Sequence, residues 1–364
     1  MNRLESGKVA LTAKIKTQLS KALEKYNPES LLTMLFDYVR IRFPTTDVKH
    51  VVEDILKLRF DMMIHEDFGF YSYPEHYVLG DVFVLASPDK EKGILLELKG
   101  KGCRQMESYL LAQHRSWFDF LIDALMEGGV MKRLDLAIND MAGILDIPEL
   151  TEKCNREECI SVFRSFKSYR SGELVRSHEQ DKYGMGNTLY IGSLKSEVYF
   201  CIYEKDYEQY VKYDIPIEDT KIKNRFEIRL KNERAYHAVR DLLTYYDAER
   251  TALDIINRYI RFADREEDKR RSKWKTNKRW AYFIGSDRGR LKLTTKPEPY
   301  TLTRTLNWIS RQVAPTWKVL QQIDNTNGTT YLKDILDHVK LTKRHKKLIE
   351  QQTTSTEEVI KQEE

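Results

Sequence analysis

Three short segments of this 364-residue chain alternate apolar and polar residues and carry an acidic residue among the polar ones. They are residues 93–99, 133–139 and 225–231, and their acidic residues are Glu97, Asp135 and Glu227. Successive side chains of a β-strand point to opposite faces, so each segment predicts a strand with an apolar face and a polar face that holds a carboxylate. Several such strands constrain the chain to a sheet that is packed on one side and open on the other.

Two further segments extend this pattern. Residues 36–43 alternate in the same way, and residues 188–205 contain two alternating stretches around Gly192, which is typical of a β-hairpin. Helical patterns over residues 105–126 and 233–260 separate the strands. We therefore predict an α+β fold: an antiparallel sheet with helices on its apolar face, an open polar face, and a mostly helical, basic C-terminal region.

Shifts in composition divide the chain into four predicted regions. Residues 1–30 form a polar lead-in with helical tendency, and residues 31–262 form the domain that contains the alternating strands. Residues 263–350 form the basic, tryptophan-containing C-terminal region, and the polar residues 351–364 are predicted to be a disordered tail. With 32% charged and 41% hydrophobic residues, the chain as a whole has the composition of a folded globular protein.

The net charge is only +5, but residues 269–280 carry seven cations with two tryptophans between them. Such a segment can neutralise phosphates and offer stacking surfaces to unpaired bases, so it predicts nucleic-acid binding. The alternative is a charged helix whose tryptophans belong to the core. The residues predicted to contact DNA are Arg229, Lys269, Arg270, Arg271, Lys273, Trp274, Lys275, Lys278, Arg279 and Trp280.

Histidine and cysteine usage argues against several classes of protein. The eight histidines include no His-x-His pair and no His-Glu-x-x-His run, so zinc chemistry is not expected. The four cysteines form no Cys-x-x-Cys pair, and no signal segment opens the sequence, which predicts a reducing, cytoplasmic location. No apolar run reaches the roughly 18 residues that a membrane span needs, so membrane insertion is not expected.

Carboxylates on neighbouring strands of one sheet can bind a hard divalent cation such as Mg²⁺ or Mn²⁺. Glu97, Asp135 and Glu227 are therefore candidate metal ligands. The same side chains can instead form ion pairs on a solvated face with arginines such as Arg133, Arg225 or Arg229. Spacing alone leaves both interpretations open.

Tyr190 and Lys205 are candidate catalytic residues beside these carboxylates. Tyr190 is one of 21 tyrosines, so composition does not single it out. A phenol with a pKa of about 10 attacks phosphorus only when a base takes its proton or a metal polarises the phosphate, a condition that a carboxylate-held metal meets. Lys205 is expected to stabilise charge at that phosphate, or else to be a solvent-exposed lysine.

Five segments, in this order along the chain, resemble blocks of the replication initiation factor family. This family joins rolling-circle plasmid initiators to the MobT-type relaxases of Gram-positive integrative and conjugative elements. The segments are residues 96–104, 133–140, 189–193, 202–205 and 225–235. The likeness runs from Phe36 to Trp308, and five blocks in sequence are far more specific than any single one.

The resemblance implies an enzyme that nicks and closes DNA at an origin. The tyrosine of the Tyr-x-Gly-Ser block, Tyr190 in this chain, would attack one strand and form a 5′-phosphotyrosyl link. The acidic residues of the family correspond to Asp135, Glu227 and, less closely, Glu97, which would hold Mg²⁺ or Mn²⁺.

On this basis we expect a relaxase that starts conjugative transfer and rolling-circle replication of a mobile element. A plasmid replication initiator without a transfer role and a non-catalytic DNA-binding regulator remain alternatives. The expected partner is origin DNA in single-stranded or hairpin form. The sequence also allows a host helicase and a coupling protein as partners, and it specifies neither their identity nor the oligomeric state.

Overall fold

The computed structural model describes residues 31–171, 186–213, 215–285, 291, 293–298 and 300–361, so the predicted lead-in of residues 1–30 lies outside the described residues. Its β-strands are β1 (Leu32–Phe43), β2 (Ile64–Glu66), β3 (Glu75–Leu79), β4 (Val82–Ala86), β5 (Ile94–Lys99), β6 (Val130–Asp140), β7 (Cys159–Ser161), β8 (Phe166–Arg170), β9 (Asn187–Ile191), β10 (Val198–Glu204), β11 (Asn224–Lys231), β12 (Ile260–Asp264) and β13 (Lys275–Thr276).

The α-helices are α1 (Val48–His50), α2 (Lys101–Ala112), α3 (Trp117–Met126), α4 (Ile147–Asn155), α5 (Lys205–Tyr213), α6 (Asn232–Tyr245), α7 (Ala248–Tyr259), α8 (Lys278–Phe283), α9 (Thr303–Trp308), α10 (Ala314–Asn327), α11 (Tyr331–His338), α12 (Lys343–Thr353) and α13 (Thr356–Val359). Short π-helical segments follow α1 and α9, at Val51–Ile55 and Ile309–Val313. Single 3₁₀ turns lie at Phe60–Met62, Ile217–Asp219 and Arg271–Lys273.

The chain divides into two compact units, each made of two stretches of sequence. The first unit contains residues up to Val39 and Met131–Thr295, and the second contains Arg40–Val130 and Lys296–Glu364. This differs from the predicted division near residue 263. Residues 263–295 stay with the first unit, and the chain then joins the second, where the backbone N–H of Lys296 donates to the Glu107 carboxylate at 2.8 Å.

In the first unit, strands β6, β11, β10, β9 and β8 lie side by side in that order and are antiparallel. One face of this sheet is apolar and packs on α8, where the ring of Phe226 lies 6.0 Å from Trp280 and 5.5 Å from Phe283. The other face carries the polar residues of the strands. The predicted α+β fold with an antiparallel sheet and helices is confirmed, as is a helical C-terminal region.

The predicted hairpin at residues 188–205 is also confirmed, because β9 and β10 pair directly. Gly192 follows β9 with a φ of +95°, a backbone conformation that residues with a side chain rarely adopt. A Cβ atom at this position would lie 3.0 Å from the ring of Phe163. Glycine is therefore required immediately after the strand that carries Tyr190.

In the second unit, strands β2, β3, β4 and β5 form an antiparallel arrangement in chain order. The C-terminal residues pack on this unit: the Gln351 side chain donates to the Met62 carbonyl at 2.7 Å, and Val359 is buried. The prediction of a disordered tail over residues 351–364 therefore does not match the structure, since apolar Val359 supplies a packing contact. Residues 362–364 lie outside the described residues.

In the part of the chain that the structure describes, no helix combines the length and the apolar composition that crossing a membrane requires.

Candidate active site

Strand register brings Tyr190 and Glu227 into one row across the sheet of the first unit. Tyr190 on β9 is the partner of Cys201 on β10, Cys201 is the partner of Glu227 on β11, and Glu227 is the partner of Ala137 on β6. Direct partners share a face, and neighbouring strands lie about 4.8 Å apart, so the backbones of Tyr190 and Glu227 are about 10 Å apart on the polar face.

Asp135 belongs to the next row of the same face. It is the β6 partner of Arg229, and both residues lie two positions along from the pair Ala137 and Glu227. Because strand side chains alternate with a period of two, Asp135 and Glu227 point to the same side and are diagonal neighbours. The predicted phenol and two of the three predicted carboxylates therefore share one face of one sheet.

Arginines neutralise both carboxylates. The guanidinium of Arg133 donates to the two oxygens of Asp135 at 2.9 and 2.7 Å, and Arg229 lies 3.8 Å from Asp135. Arg229 also donates from Nε and Nη2 to one oxygen of Glu227, at 2.8 and 2.7 Å. The ion pairs that the sequence left as an alternative are thus present.

These carboxylates are nearly inaccessible, with Asp135 only 2% and Glu227 only 3% exposed. Burial raises the pKa of Asp135 to about 6, against the opposing effect of Arg133, and the charge of Glu227 raises this pKa further. Burial also disfavours the charged form of Arg229, but the neighbouring groups, Glu227 foremost, together outweigh burial, and the pKa of Arg229 rises. The two carboxylates and Arg229 therefore form one electrostatically coupled group.

Tyr190 is partly exposed, and its ring lies edge-on to Tyr169 at 5.9 Å. Burial, followed by the neighbouring Cys201 thiol, raises the pKa of Tyr190 to about 12, while Arg229 acts in the opposite direction. The phenol is consequently protonated at neutral pH. It becomes a nucleophile only if its proton is removed or positive charge is brought near it.

A chain of polar contacts links Lys205 to Glu227. Lys205 is the first residue of α5; its Nζ lies 3.4 Å from the Tyr203 hydroxyl and forms an ion pair with Glu208. The Tyr203 hydroxyl donates to Oε1 of Glu227 at 2.8 Å, whereas Arg229 donates to Oε2. Burial lowers the pKa of Lys205.

Sequence reasoning missed Tyr203, Cys201 and the role of Arg133. The signal for the first two was available, because the alternation that puts Val198, Phe200 and Ile202 on the apolar face puts the intervening residues on the polar face. Arg133 was named only as an alternative partner, and spacing cannot reveal the two-oxygen contact that it makes with Asp135.

Glu97, the third predicted metal ligand, belongs to the second unit and is 3% exposed. Arg40 donates to its Oε1 from Nε at 2.9 Å, the Tyr71 hydroxyl donates to the same oxygen at 3.1 Å, and Lys99 lies 2.7 Å from Oε2. Neither unit contains all three predicted ligands. Among the described residues, no group of three or more acidic, histidine or cysteine side chains is placed to hold a metal ion.

Asp135 and Glu227 nevertheless fit a divalent cation by their chemistry. Mg²⁺ is commonly held by one or two carboxylates together with substrate phosphates, rather than by a complete set of protein ligands. Asp135 and Glu227 provide two hard oxygen donors on the same sheet face as Tyr190, the predicted nucleophile.

The residues predicted to contact DNA occupy different environments. Lys269, Arg270, Lys273, Lys275 and Lys278 are exposed. The exposed Arg271 uses its guanidinium to bind the carbonyls of Glu157 and Cys159, each at 2.7 Å, and Arg279 lies 3.7 Å from Asp146.

The two tryptophans of this segment also differ. Trp274 is partly exposed, and its indole N–H donates to the carbonyls of Glu266 and Lys269 at 2.9 and 3.0 Å. Trp280 is 0% exposed and packs on Phe262 at 4.9 Å. Because no face of its ring is open, Trp280 is a core residue and not a stacking surface, which corrects the prediction made from the sequence.

Comparison with known families shows the family of the chain. The sequence model of the replication initiation factor family matches residues 129–336, and that of the rolling circle replication initiation protein N-terminal domain matches residues 33–123. The chain belongs to the replication initiation factor family. The resemblance drawn from five sequence blocks is confirmed.

One relative and one solved structure show what the chain is similar to. The candidate DNA relaxase NicK of Bacillus subtilis (strain 168) is 43% identical over 323 residues, which cover 88% of this chain and 90% of the relative. The solved structure of a rolling circle replication initiator protein from Geobacillus stearothermophilus aligns with a TM-score of 0.60 at 24% identity, covering 73% of this chain and 99% of that protein. The second match establishes a shared fold.

Proposed function

We propose that the protein is a relaxase that nicks one strand of origin DNA with the hydroxyl of Tyr190 and later reseals it. The observation that carries the proposal is the strand register, which aligns Tyr190 with Glu227 and sets Asp135 in the adjoining row. A partly exposed phenol on the same sheet face as buried acidic and basic groups is suited to phosphoryl transfer.

In the proposed reaction the Tyr190 oxygen forms a bond to the scissile phosphorus. The bond from phosphorus to the 3′ oxygen breaks, and the phenol proton ends on that oxygen as a free 3′ hydroxyl. The products are a 5′-phosphotyrosyl link and a primer end. Since one phosphodiester is exchanged for another, the reverse reaction can close the strand without an added energy source.

Asp135 and Glu227 would hold Mg²⁺ or Mn²⁺ in this enzyme. When bound, the cation supplies positive charge that polarises the phosphate and favours loss of the phenol proton. Arg133 and Arg229 neutralise the same carboxylates in the structure. The positive charge of Arg229 acts to lower the pKa of Tyr190, and we propose that Arg229 also contacts the phosphate. Lys205 would help to stabilise charge at the phosphate through the Tyr203 hydroxyl, which lies 3.4 Å from its Nζ.

The exposed cations of residues 269–278 would bind the flanking duplex. They lie in the same unit as Tyr190. Their charge can attract the DNA backbone without reading its sequence, which suits a surface that positions a strand for cleavage.

We propose a relaxase with a transfer role rather than a plasmid initiator because the 43%-identical relative carries a relaxase name. A conjugation assay with the element's own origin separates the two. We expect Tyr190→Phe to abolish transfer; replication that requires Tyr190 without any transfer would instead identify a plasmid initiator.

The nicking assay uses supercoiled origin DNA, Mn²⁺ and the full chain. We expect Tyr190→Phe to reduce nicking by at least about 1000-fold, because the nucleophile is absent. Tyr236→Phe, at an exposed tyrosine of α6, is the matched control and should nick like the parent. Mass spectrometry of the adduct should find DNA on the peptide containing Tyr190. Equal nicking by Tyr190→Phe would reject this nucleophile, and a parent that binds but never nicks would identify a non-catalytic regulator.

A further inference from the structure

The loop between β2 and β3 in the second unit exposes a group of large aromatic side chains. In this loop, residues 67–74, Phe68 is 57%, Phe70 45% and Tyr71 49% exposed. Burying such rings ordinarily stabilises a protein, so three exposed rings within four residues indicate a binding surface. We name residues 67–74 the aromatic loop.

The aromatic loop is held in place although its rings are exposed. Tyr73 is buried against Leu85 and Leu95, and its backbone N–H donates to the Phe70 carbonyl at 2.9 Å. Lys92 donates to the Ser72 carbonyl, and a Cβ atom at Gly69 would lie 2.3 Å from the Tyr73 carbonyl oxygen. The rings are therefore presented by a fixed scaffold.

Contacts among the rings fix their orientation. Phe68 and Phe70 both pack on His76, with centroids at 5.1 and 5.4 Å, and Phe70 lies 6.4 Å from Phe83. Phe83 is the strand partner of Glu97, so the loop lies over the face of the sheet that carries Glu97. One side of each exposed ring is supported by protein, and exposed surface remains for a ligand.

Both cations and carboxylates lie beside this aromatic surface. The guanidinium of Arg40 lies over the Tyr71 ring at 4.2 Å, and the Lys99 amine bonds the Tyr71 hydroxyl at 3.2 Å. Both cations share one carboxylate, Glu97, so the three charged groups carry a net charge of +1. Lys92, over Tyr73 at 4.5 Å, adds a further cation, while Asp67 at the start of the loop is acidic.

From this arrangement we propose that the aromatic loop binds single-stranded DNA by stacking unpaired bases on Phe68 and Phe70, with Lys99 and Lys92 near the phosphates. Aromatic rings interleaved with cations are how proteins hold single strands without reading sequence, because every base has a stacking face. The inference rests on the proposed DNA substrate. It adds a site for the strand that opening or nicking of the origin releases.

The test measures binding of full-length chains that also carry Tyr190→Phe, so that no cleavage occurs. The probes are a fluorescently labelled oligothymidylate and a labelled duplex of the same length, followed by anisotropy. We expect Phe68→Ala and Phe70→Ala each to weaken oligothymidylate binding by about 5- to 100-fold, with duplex binding changed less than about twofold. Tyr236→Ala removes a ring that is 45% exposed in the other unit and should change neither.

Two further substitutions separate stacking from folding. Phe68→Leu keeps an apolar side chain without the ring and should bind as weakly as Phe68→Ala, whereas Phe68→Trp should retain binding and show fluorescence quenching by the oligonucleotide. Full binding by Phe68→Leu, unchanged binding by both alanine variants, or an equal loss on duplex would each overturn the proposal. Nicking by Tyr190→Phe would reject the proposed function while leaving this binding result intact.

Discussion

The two units carry polar sheet faces that start from the same pattern and end in different environments. In each, a strand with a glutamate and a following cation leads directly into a helix: Glu97 and Lys99 precede α2, and Glu227 and Arg229 precede α6. In the second unit the aromatic loop places Tyr71 on the carboxylate. In the first, the neighbouring strands place Tyr203, Cys201 and Tyr190 on the face instead.

The difference shows that strand alternation alone does not determine the surroundings of an acidic residue. Glu97 is surrounded by Arg40, Lys99 and Tyr71, without a second carboxylate among these contacts. The charge of Glu227 raises the pKa of the nearby Asp135 carboxyl, and it also raises the pKa of Tyr190. The chemistry depends on which strands lie next to the carboxylate.

The largest expected effect comes from replacing Glu227 by glutamine, and the same replacement of Glu97 is the comparison. We expect Glu227→Gln to reduce Mn²⁺-dependent nicking by about 100-fold or more, because it removes a charge from the reacting face. Glu97→Gln should reduce nicking by less than about tenfold, acting through the aromatic loop that Glu97 supports. Initial nicking rates on supercoiled origin DNA measure both. Equal losses would mean that the second unit contributes directly to the reaction.

The sequence predicted the strands and their faces well because alternation is a local property. Asp135 and Glu227 were each placed on a polar strand face from their own segments, and the register puts both of them and Tyr190 on one face. The grouping of Glu97 with them was not supported within either unit, since membership of a unit depends on contacts far apart in sequence. Trp280 was misread for a related reason: a run of cations suggests a surface, but Phe226 and Phe262 bury this ring.

The pH dependence of stability tests the burial of Asp135. Its pKa rises from an ordinary 3.8 to about 6 in the folded chain, so between these values the folded state holds a proton that the unfolded state has lost. The free energy of unfolding should therefore fall as pH rises from about 4 to about 6, by up to about 3 kcal/mol from this group.

Asp135→Asn should lack this component, and its unfolding free energy should have a flatter pH profile over the same window. Denaturant unfolding of parent and variant at several pH values measures the difference between the two profiles. Parallel profiles between pH 4 and 6 would show that Asp135 titrates alike in both states and is not held in a buried environment.

A buried tryptophan from each unit provides a smaller test. The indole N–H of Trp117 in the second unit donates to the buried Glu107 carboxylate at 3.0 Å. Among the described residues, the indole N–H of Trp280 in the first unit has no hydrogen-bond partner. We expect Trp117→Phe to destabilise the chain by about 2 kcal/mol more than Trp280→Phe, because it also removes a hydrogen bond to a charged group. Denaturant unfolding measures both, and equal losses would contradict the bonding difference.

The smallest expected effect is on the salt dependence of DNA affinity, and it compares the basic segment of the first unit with the aromatic loop of the second. Lys273 is exposed in the basic segment, and replacing one phosphate-contacting cation should lower the slope of log affinity against log salt by about one unit on duplex DNA. Phe68→Ala should leave that slope unchanged, because stacking releases few counterions. Lys49→Ala, at a lysine with a 65% exposed side chain in the second unit, is the matched control for charge. If Phe68→Ala changed the salt slope as Lys273→Ala does, the two surfaces would not divide stacking from phosphate binding, and the contrast between the units would have to be redrawn.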